Sequence, residues 1–233
     1  MLPHDIPGLI GSWRFDSLHY AGGEFKDISG YRNPFVLRQG AAAFEVRSGG
    51  EGLILNNTNL FTALCPIAYA GTIMVVFQDG ILNNGSRFLA TFEDFDQTTE
   101  RTGNPNYFLS RFEGSGNHRL NSGHVSDTLI GLLGEGTGGV SHVATFAADQ
   151  IRAQCSIRIG AGADVDNATS TITATSPKGP DMVLGRLNSA QTDVARTAVA
   201  GIERFWLREM HCWGRNLLKD ENSLVTALMA ELG

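Results

Sequence analysis

The sequence predicts an all-β chain folded as a sandwich or barrel. Three observations predict it. The apolar runs are short and bounded by Gly, Asn, Asp or Pro, a strand-and-turn pattern rather than a 3.6-residue helical one. Glycine supplies 28 of 233 residues, above the usual ~7%, which favours turns over long helices. About a dozen runs follow one another at short spacing, and sheets stacked face to face or closed on themselves are what bury so many strands. With 42% hydrophobic and 18% charged residues the chain can bury a real core instead of remaining disordered. No internal repeat or low-complexity linker divides it, so residues 1–233 are read as one domain.

In order, strands are expected at 8–16, 35–37, 53–55, 71–78, 87–92, 107–112, 118–121, 128–132, 141–146, 151–159, 170–175, 182–186 and 201–213. The connections carry turn chemistry: Asn83-Asn84-Gly85, Gly103-Asn104-Pro105-Asn106, Gly114-Ser115-Gly116-Asn117 and Pro177-Lys178-Gly179-Pro180. Alternation sorts the faces. Val143 and Thr145 point one way; His142, Ala144 and Phe146 point the other. Between 150 and 160, Ile151, Ala153, Cys155, Ile157 and Ile159 share a face opposite Gln150, Arg152, Gln154, Ser156 and Arg158. Such a strand is buried on one side and wet on the other. One helix is expected, over 220–232. Leu224, Val225, Leu228, Met229 and Leu232 form its apolar stripe, with Asp220 as N-cap and Glu221 in the first turn. It is too short to stand alone and must dock on the sheets.

Net charge is −6, which argues against a nucleic-acid surface. The positive charge comes from 15 Arg and only 3 Lys, so it is mostly of the planar, stacking kind. Cys65, Cys155 and Cys212 are odd in number and widely spaced; they fit neither a disulfide framework nor a zinc site. The opening Met1-Leu2-Pro3-His4-Asp5 has no basic segment followed by an apolar run, so no signal peptide is expected. No apolar stretch reaches the ~18 residues of a membrane span.

The order of short motifs resembles the laminin-G-like, concanavalin A-like lectin/glucanase domains. Gly8-Leu9-Ile10-Gly11-Ser12-Trp13-Arg14-Phe15-Asp16 is similar to their first strand. Asp27-Ile28-Ser29-Gly30, with Asn33, is similar to their Asp-x-Ser-Gly turn. Thr72-Ile73-Met74-Val75-Val76-Phe77 resembles their central buried strand, Ser141-His142-Val143-Ala144 their His-Val-Ala strand, and Met182-Val183-Leu184-Gly185 the strand that follows. The close is the most specific part: Glu209-Met210-His211-Cys212-Trp213, then Arg215, Leu217, Asp220 and Glu221 leading into a helix. The likeness runs from 8 to 232. It departs from the family after His142, where a Tyr-x-Asp-Gly turn is lacking, and in the long stretch from Asp94 to Gly139. The resemblance implies a two-sheet antiparallel jelly-roll sandwich with one concave face and a short C-terminal helix.

Some relatives are glycoside hydrolases, which need two carboxylates ~5–5.5 Å apart when they retain configuration. The glucanase signature is close to Glu-x-Asp-x-x-Glu. The nearest segment, Glu93-Asp94-Phe95-Asp96-Gln97-Thr98-Thr99-Glu100, does not meet it: Asp94 and Asp96 share a face that Glu93 does not. It reads as a solvated acidic loop. Relatives also hold a structural calcium near the Asp-x-Ser-Gly turn. That carries over to Asp27, with Asp16 and Glu209 as neighbours from the chain ends; the alternative is that Asp27 and Ser29 cap a tight turn through their own backbone. Asp164-Val165-Asp166-Asn167 lacks the remaining ligands of a calcium loop and reads as a hairpin tip. Gly134-Glu135-Gly136-Thr137-Gly138-Gly139 has no following Lys-Ser/Thr and is no phosphate loop.

Glycan sites combine a stacking aromatic with planar hydrogen bonders. Asn106, Tyr107, Arg111, His118 and Asn121, with Arg119 beside them, offer that set, and Tyr107, Leu109 and Arg111 share a face by alternation. The same residues would serve equally as a subunit contact. The expected function is a non-enzymatic, virion-associated structural, decoration or adhesion module able to bind glycan, of the type carried by tailed-phage particles. Its partners would be other virion proteins, copies of itself or cell-surface glycan. It would use no cofactor beyond the implied calcium, and would contact neither nucleic acid nor membrane. The alternative is a secreted or accessory lectin domain acting outside the cell; a glycoside hydrolase ranks below both.

Overall fold

The computed structural model describes residues 1–55, 59–64, 71–78, 87–93, 95–96, 101–102, 107–111, 118–122, 141–148, 154–161, 164–171, 181–185 and 205–233. The strands in chain order are β1 (Leu9–Arg14), β2 (Tyr20–Ala21), β3 (Glu24–Phe25), β4 (Phe35–Gln39), β5 (Phe44–Arg47), β6 (Gly50–Leu55), β7 (Leu60–Leu64), β8 (Gly71–Gln78) and β9 (Arg87–Glu93). They continue as β10 (Phe95–Asp96), β11 (Arg101–Thr102), β12 (Tyr107–Arg111), β13 (His118–Ser122), β14 (Ser141–Ala148), β15 (Gln154–Ala161), β16 (Asp164–Thr171), β17 (Asp181–Gly185) and β18 (Phe205–Trp213).

Two eight-stranded sheets form the jelly-roll sandwich. One runs β16-β15-β14-β8-β18-β6-β5, with β1 also paired to β18. The other runs β13-β12-β9-β17-β7-β4-β3-β2. A small β10-β11 pair stands apart from both. Strand β18 has nine residues and serves two partners on one edge. Phe205, Trp206 and Leu207 pair with β6, and Glu209 to Trp213 pair with β1. A bulge between Leu207 and Glu209 in the pairing with β8 marks the change of partner.

Aromatic side chains fill the space between the sheets. Trp13, Phe15, Phe25, Phe35 and Phe61 are buried with Leu53, Ile73, Val75, Phe77, Leu184 and Cys212. Trp13 meets Phe35 at 4.9 Å between ring centres and Phe15 meets Phe25 at 5.0 Å, both edge to face, the arrangement the ring quadrupole favours. Cys212 is buried in that interior; Cys65 lies outside the described residues.

Strand β8 is buried along its whole length, and the second apolar layer explains why. Its Ile73, Val75 and Phe77 face the sandwich interior. Met74 and Val76 face outward, beneath Val225, Leu228, Met229 and Leu232 of the C-terminal helix Asn222–Leu232. A strand covered on both faces reads as a continuous apolar run instead of an alternating one. Val143 joins the helix layer and Thr145 is buried with it by register to Met74, the face that alternation assigned to both.

Several expectations are corrected. The helix starts at Asn222 after Glu221; Asp220 closes a separate short turn, Leu217–Asp220, capped by Asn216 accepting from the Lys219 N–H at 3.1 Å. Residues 164–167 are no hairpin tip but the start of β16, which pairs with β15 from Gln154↔Thr171 to Ala161↔Asp164. Its polar sequence suits an edge strand, where one side is left to water. Strands β2, β3, β5 and β7 were not expected. The first three are two to four residues long, too short to show a period. The segment 128–132 lies outside the described residues.

Candidate functional site

The turn after β3 is held by one carboxylate. Asp27 Oδ1 accepts the Ser12 N–H at 3.0 Å and the Ser29 N–H at 2.9 Å, and Oδ2 accepts the Asn33 N–H at 3.1 Å. Ser29 Oγ accepts the Tyr31 N–H at 3.4 Å. Asn33 then clamps the neighbouring strand: its Nδ2 donates to the Leu64 carbonyl at 2.5 Å, and its Oδ1 accepts the Leu64 N–H at 3.0 Å. The Asn33 carbonyl accepts the Trp13 indole N–H at 2.7 Å. Between these anchors Tyr31 and Arg32 are exposed, and Arg32 has φ 59°, a left-handed backbone that few residues without a short polar side chain adopt.

The carboxylates named for calcium lie in three separate arrangements. Asp16 caps a 3₁₀ turn, accepting from the His19 N–H at 3.0 Å and facing the His19 ring Nδ1 at 2.6 Å, with Arg14 Nε at 3.4 Å. Asp27 serves the turn above. Glu209 Oε1 accepts from Arg208 Nε at 2.8 Å, and Oε2 lies 3.3 Å from His211 Nε2. Among the described residues no three metal-capable side chains converge.

Glu209 belongs to a buried polar chain. Ser12 Oγ lies 2.9 Å from His211 Nδ1. Which of Ser12 Oγ and His211 Nδ1 donates follows from the tautomer of the ring. Burial pushes the Glu209 pKa up, but the hydrogen bond and charge of His211 and the charge and hydrogen bond of Arg208 outweigh it and hold the carboxyl below its ordinary value. Arg208 also donates to the Leu232 carbonyl at the end of the C-terminal helix. The Ser–His–Glu order is that of a nucleophile and its base. Here, however, Ser12 is 4% exposed and His211 2%, and the Ser12 N–H is already spent on Asp27. The chain of bonds joins the first strand, the last strand and the helix.

Strand register places the expected glycan residues. Arg111 pairs with His118, Tyr107 with Ser122 and Phe108 with Asn121. Tyr107, Arg111 and His118 therefore occupy one face of the β12–β13 hairpin and Asn121 the other. Asn106 lies outside the described residues. The faces of the hairpin do not continue simply across the sheet: Phe108 pairs with Thr91 of β9, but after a register shift Ser110 pairs with Phe88 and Arg111 with Arg87; further along the sheet Glu93 pairs with Asp181, which pairs in turn with Leu64. Leu64 is 63% exposed, whereas its neighbour Ala63 is in the core. This is the outer face of the sheet. Of the acidic segment, Glu93 ends β9 and Asp96 lies in β10; Asp94 and Glu100 lie outside the described residues. Tyr31, Arg32 and Asp181 escaped notice in the sequence. A non-glycine residue two places after Gly30 gives no local signal of positive φ, and Asp181 acquires acidic company only through register.

No protein-family model matches the sequence, and no curated protein matches it. Solved structures do match. A sialidase of Trypanosoma rangeli in complex with sialic acid superposes with a TM-score of 0.63 at 15% identity, over 98% of this chain and 34% of that one. A mutant of the same organism's sialidase that displays trans-sialidase activity gives 0.60 at 17%, over 97% and 34%. Domain 4 of AbnA, an extracellular GH43 arabinanase of Geobacillus stearothermophilus, in complex with arabinotriose, gives 0.61 at 15%, over 96% of this chain and 97% of that one. The chain shares their fold. It spans about a third of the length of the sialidase chains and nearly the whole of the arabinanase domain. These matches overturn the expectation of a non-enzymatic module. The missing Glu-x-Asp-x-x-Glu signature belongs to glucanases, whereas the matched chains carry the names of other glycosidases. The expected tailed-phage setting draws no support from them.

Proposed function

We propose that this chain is a carbohydrate-recognising jelly roll of a glycan-acting protein. The observation that carries the reading is the end-to-end likeness to an arabinanase domain solved with arabinotriose. The sialidase chains, one of them solved with sialic acid, support it. The test is affinity electrophoresis of the protein through arabinan, sialylated and neutral polysaccharides, run beside an assay for released reducing sugar. Retardation by at least one of them is expected. No retardation and no release in any gel would overturn the reading.

The setting remains a proposal of its own. A virion surface that meets host or environmental glycan would use the same recognition. Capsid or tail genes beside the coding sequence would support it, and polysaccharide-utilisation genes would overturn it.

A further inference from the structure

On one side of the sandwich the two sheets end together. Strand β5 closes one sheet and β2 the other, and the Tyr20 and Phe44 rings meet across the gap at 5.7 Å between centres. Phe44 packs against the core, so it faces inward. Val46, two residues on, faces the same way but lies past the cover of the other sheet and is 74% exposed. Its register partner Glu51 shares that face. One Glu51 carboxylate oxygen accepts the Ser17 N–H at 2.8 Å and the Ser17 hydroxyl at 2.6 Å. That anchor brings Leu18, 91% exposed, to the same mouth from the opposite layer. Two apolar side chains thus stand at the rim of the interior, one from each layer.

The backbone of β5 is open at this rim. The Ile54 N–H donates to the Ala43 carbonyl at 2.8 Å. Hydrogen-bonded and non-hydrogen-bonded pairs alternate along an antiparallel ladder. Residues 43, 45 and 47 therefore bond toward β6, and the N–H and C=O groups of Phe44 and Val46 point away from it. Among the described residues no strand takes them. The side chains around Val46 say what can. Glu45 and Arg47 flank it, and Arg47 Nε donates to Glu45 Oε1 at 2.8 Å. A two-fold axis at Val46 sets that valine against its own copy and each Glu45 opposite the partner's Arg47. An axis at Glu45 or at Arg47 would oppose like charges, as would a parallel pairing in register. The run of acid, valine and base is thus complementary to itself in one antiparallel register. We propose that β5 pairs in that register with β5 of a second copy of this chain, joining two sandwiches edge to edge and burying Val46 and Leu18 of both. A second copy brings both layers, so it covers Leu18 as well as the open edge; a lone peptide strand would cover only the edge. This pairing requires nothing of the carbohydrate reading.

The test is sedimentation equilibrium of the full chain over a range of concentrations, where the parent is expected as a dimer. Glu45→Arg brings arginines into opposition across the axis, and Arg47→Glu brings glutamates. Each alone is expected to weaken dimerisation at least about tenfold, as juxtaposed like charges do. An equimolar mixture of the two variants should recover the dimer, because each then carries the charge the other lacks. The double variant Glu45→Arg, Arg47→Glu should dimerise like the parent. Val46→Pro removes an N–H that β6 does not use, a change an edge strand tolerates, and should leave a folded monomer. Leu64→Ala is the control, an exposed residue of the other sheet, with no change expected. Thermal unfolding confirms that each variant is folded. A parent that stays monomeric at every concentration would overturn the proposal and leave the edge to a strand of another protein. A dimer that persists within twofold in either charge reversal, or folded reversal variants whose mixture stays monomeric, would overturn it as well.

Discussion

Ser12 and His211 are 199 positions apart in the chain and share a 2.9 Å hydrogen bond in the buried seam between β1 and β18. The seam is formed by the first and last strands, with Trp13 paired to Met210 and Arg14 to Glu209. A side-chain bond at this point fixes which residues of the two ends face one another, and Arg208 extends it to the C-terminal helix.

Ser12→Ala leaves His211 Nδ1 buried without its partner. The expected loss is about 1–3 kcal/mol, the desolvation penalty of an unsatisfied buried group. Urea unfolding of the two proteins measures it. A loss below ~0.5 kcal/mol, the range of ordinary surface changes, would mean the bond contributes nothing to the seam.

Glu209 makes stability depend on pH with a definite sign. Its folded pKa is below its unfolded one. Its contribution is therefore complete above the unfolded value, near ~4.3, and is lost as pH falls through the folded value. Denaturant midpoints taken between about pH 3 and pH 6 should fall more steeply for the parent than for Glu209→Gln. Parallel curves would remove Glu209 from the account.

Gly52 has no room for a methyl group. A Cβ there would lie 2.5 Å from the Trp206 ring and 2.8 Å from the Leu207 carbonyl. The backbone cannot yield easily, and the indole is tied by its N–H to the Glu45 carbonyl at 2.8 Å. Gly52→Ala should cost about 1–3 kcal/mol, the range for overpacking a filled interior. A thermal midpoint equal to that of the parent would contradict this.

Thr145 points the other way. Its hydroxyl is fully buried beside the helix layer and has no hydrogen-bond partner among the described residues. Valine has nearly the same shape and no polar atom to desolvate. Thr145→Val is expected to stabilise the fold by up to about 1 kcal/mol, seen as a higher thermal midpoint. A lower midpoint would show that the hydroxyl has a role these contacts do not reveal.

The sequence by itself determined the local half of this protein. Short apolar runs between turn residues specified strands, because a period of two needs only neighbouring residues to be read. The run Thr72 to Phe77 and the stripe from Leu224 to Leu232 were legible for the same reason, as was the part of Asp27's capping role that reaches Ser29 and Asn33, two and six positions away; its bond to the Ser12 N–H, fifteen positions away, was not. The tertiary structure alone decided the rest. Whether Met74 faces water or a helix depends on where residues 222–232 dock. The meeting of Ser12 with His211, and of Leu64 with Asp181 and Glu93, depends on register between strands far apart in the chain. Alternation says which side of its own strand a residue occupies, but not which strand lies beside it. That choice is made by the combined burial of both sheets, where a slip of one residue would turn every core side chain outward.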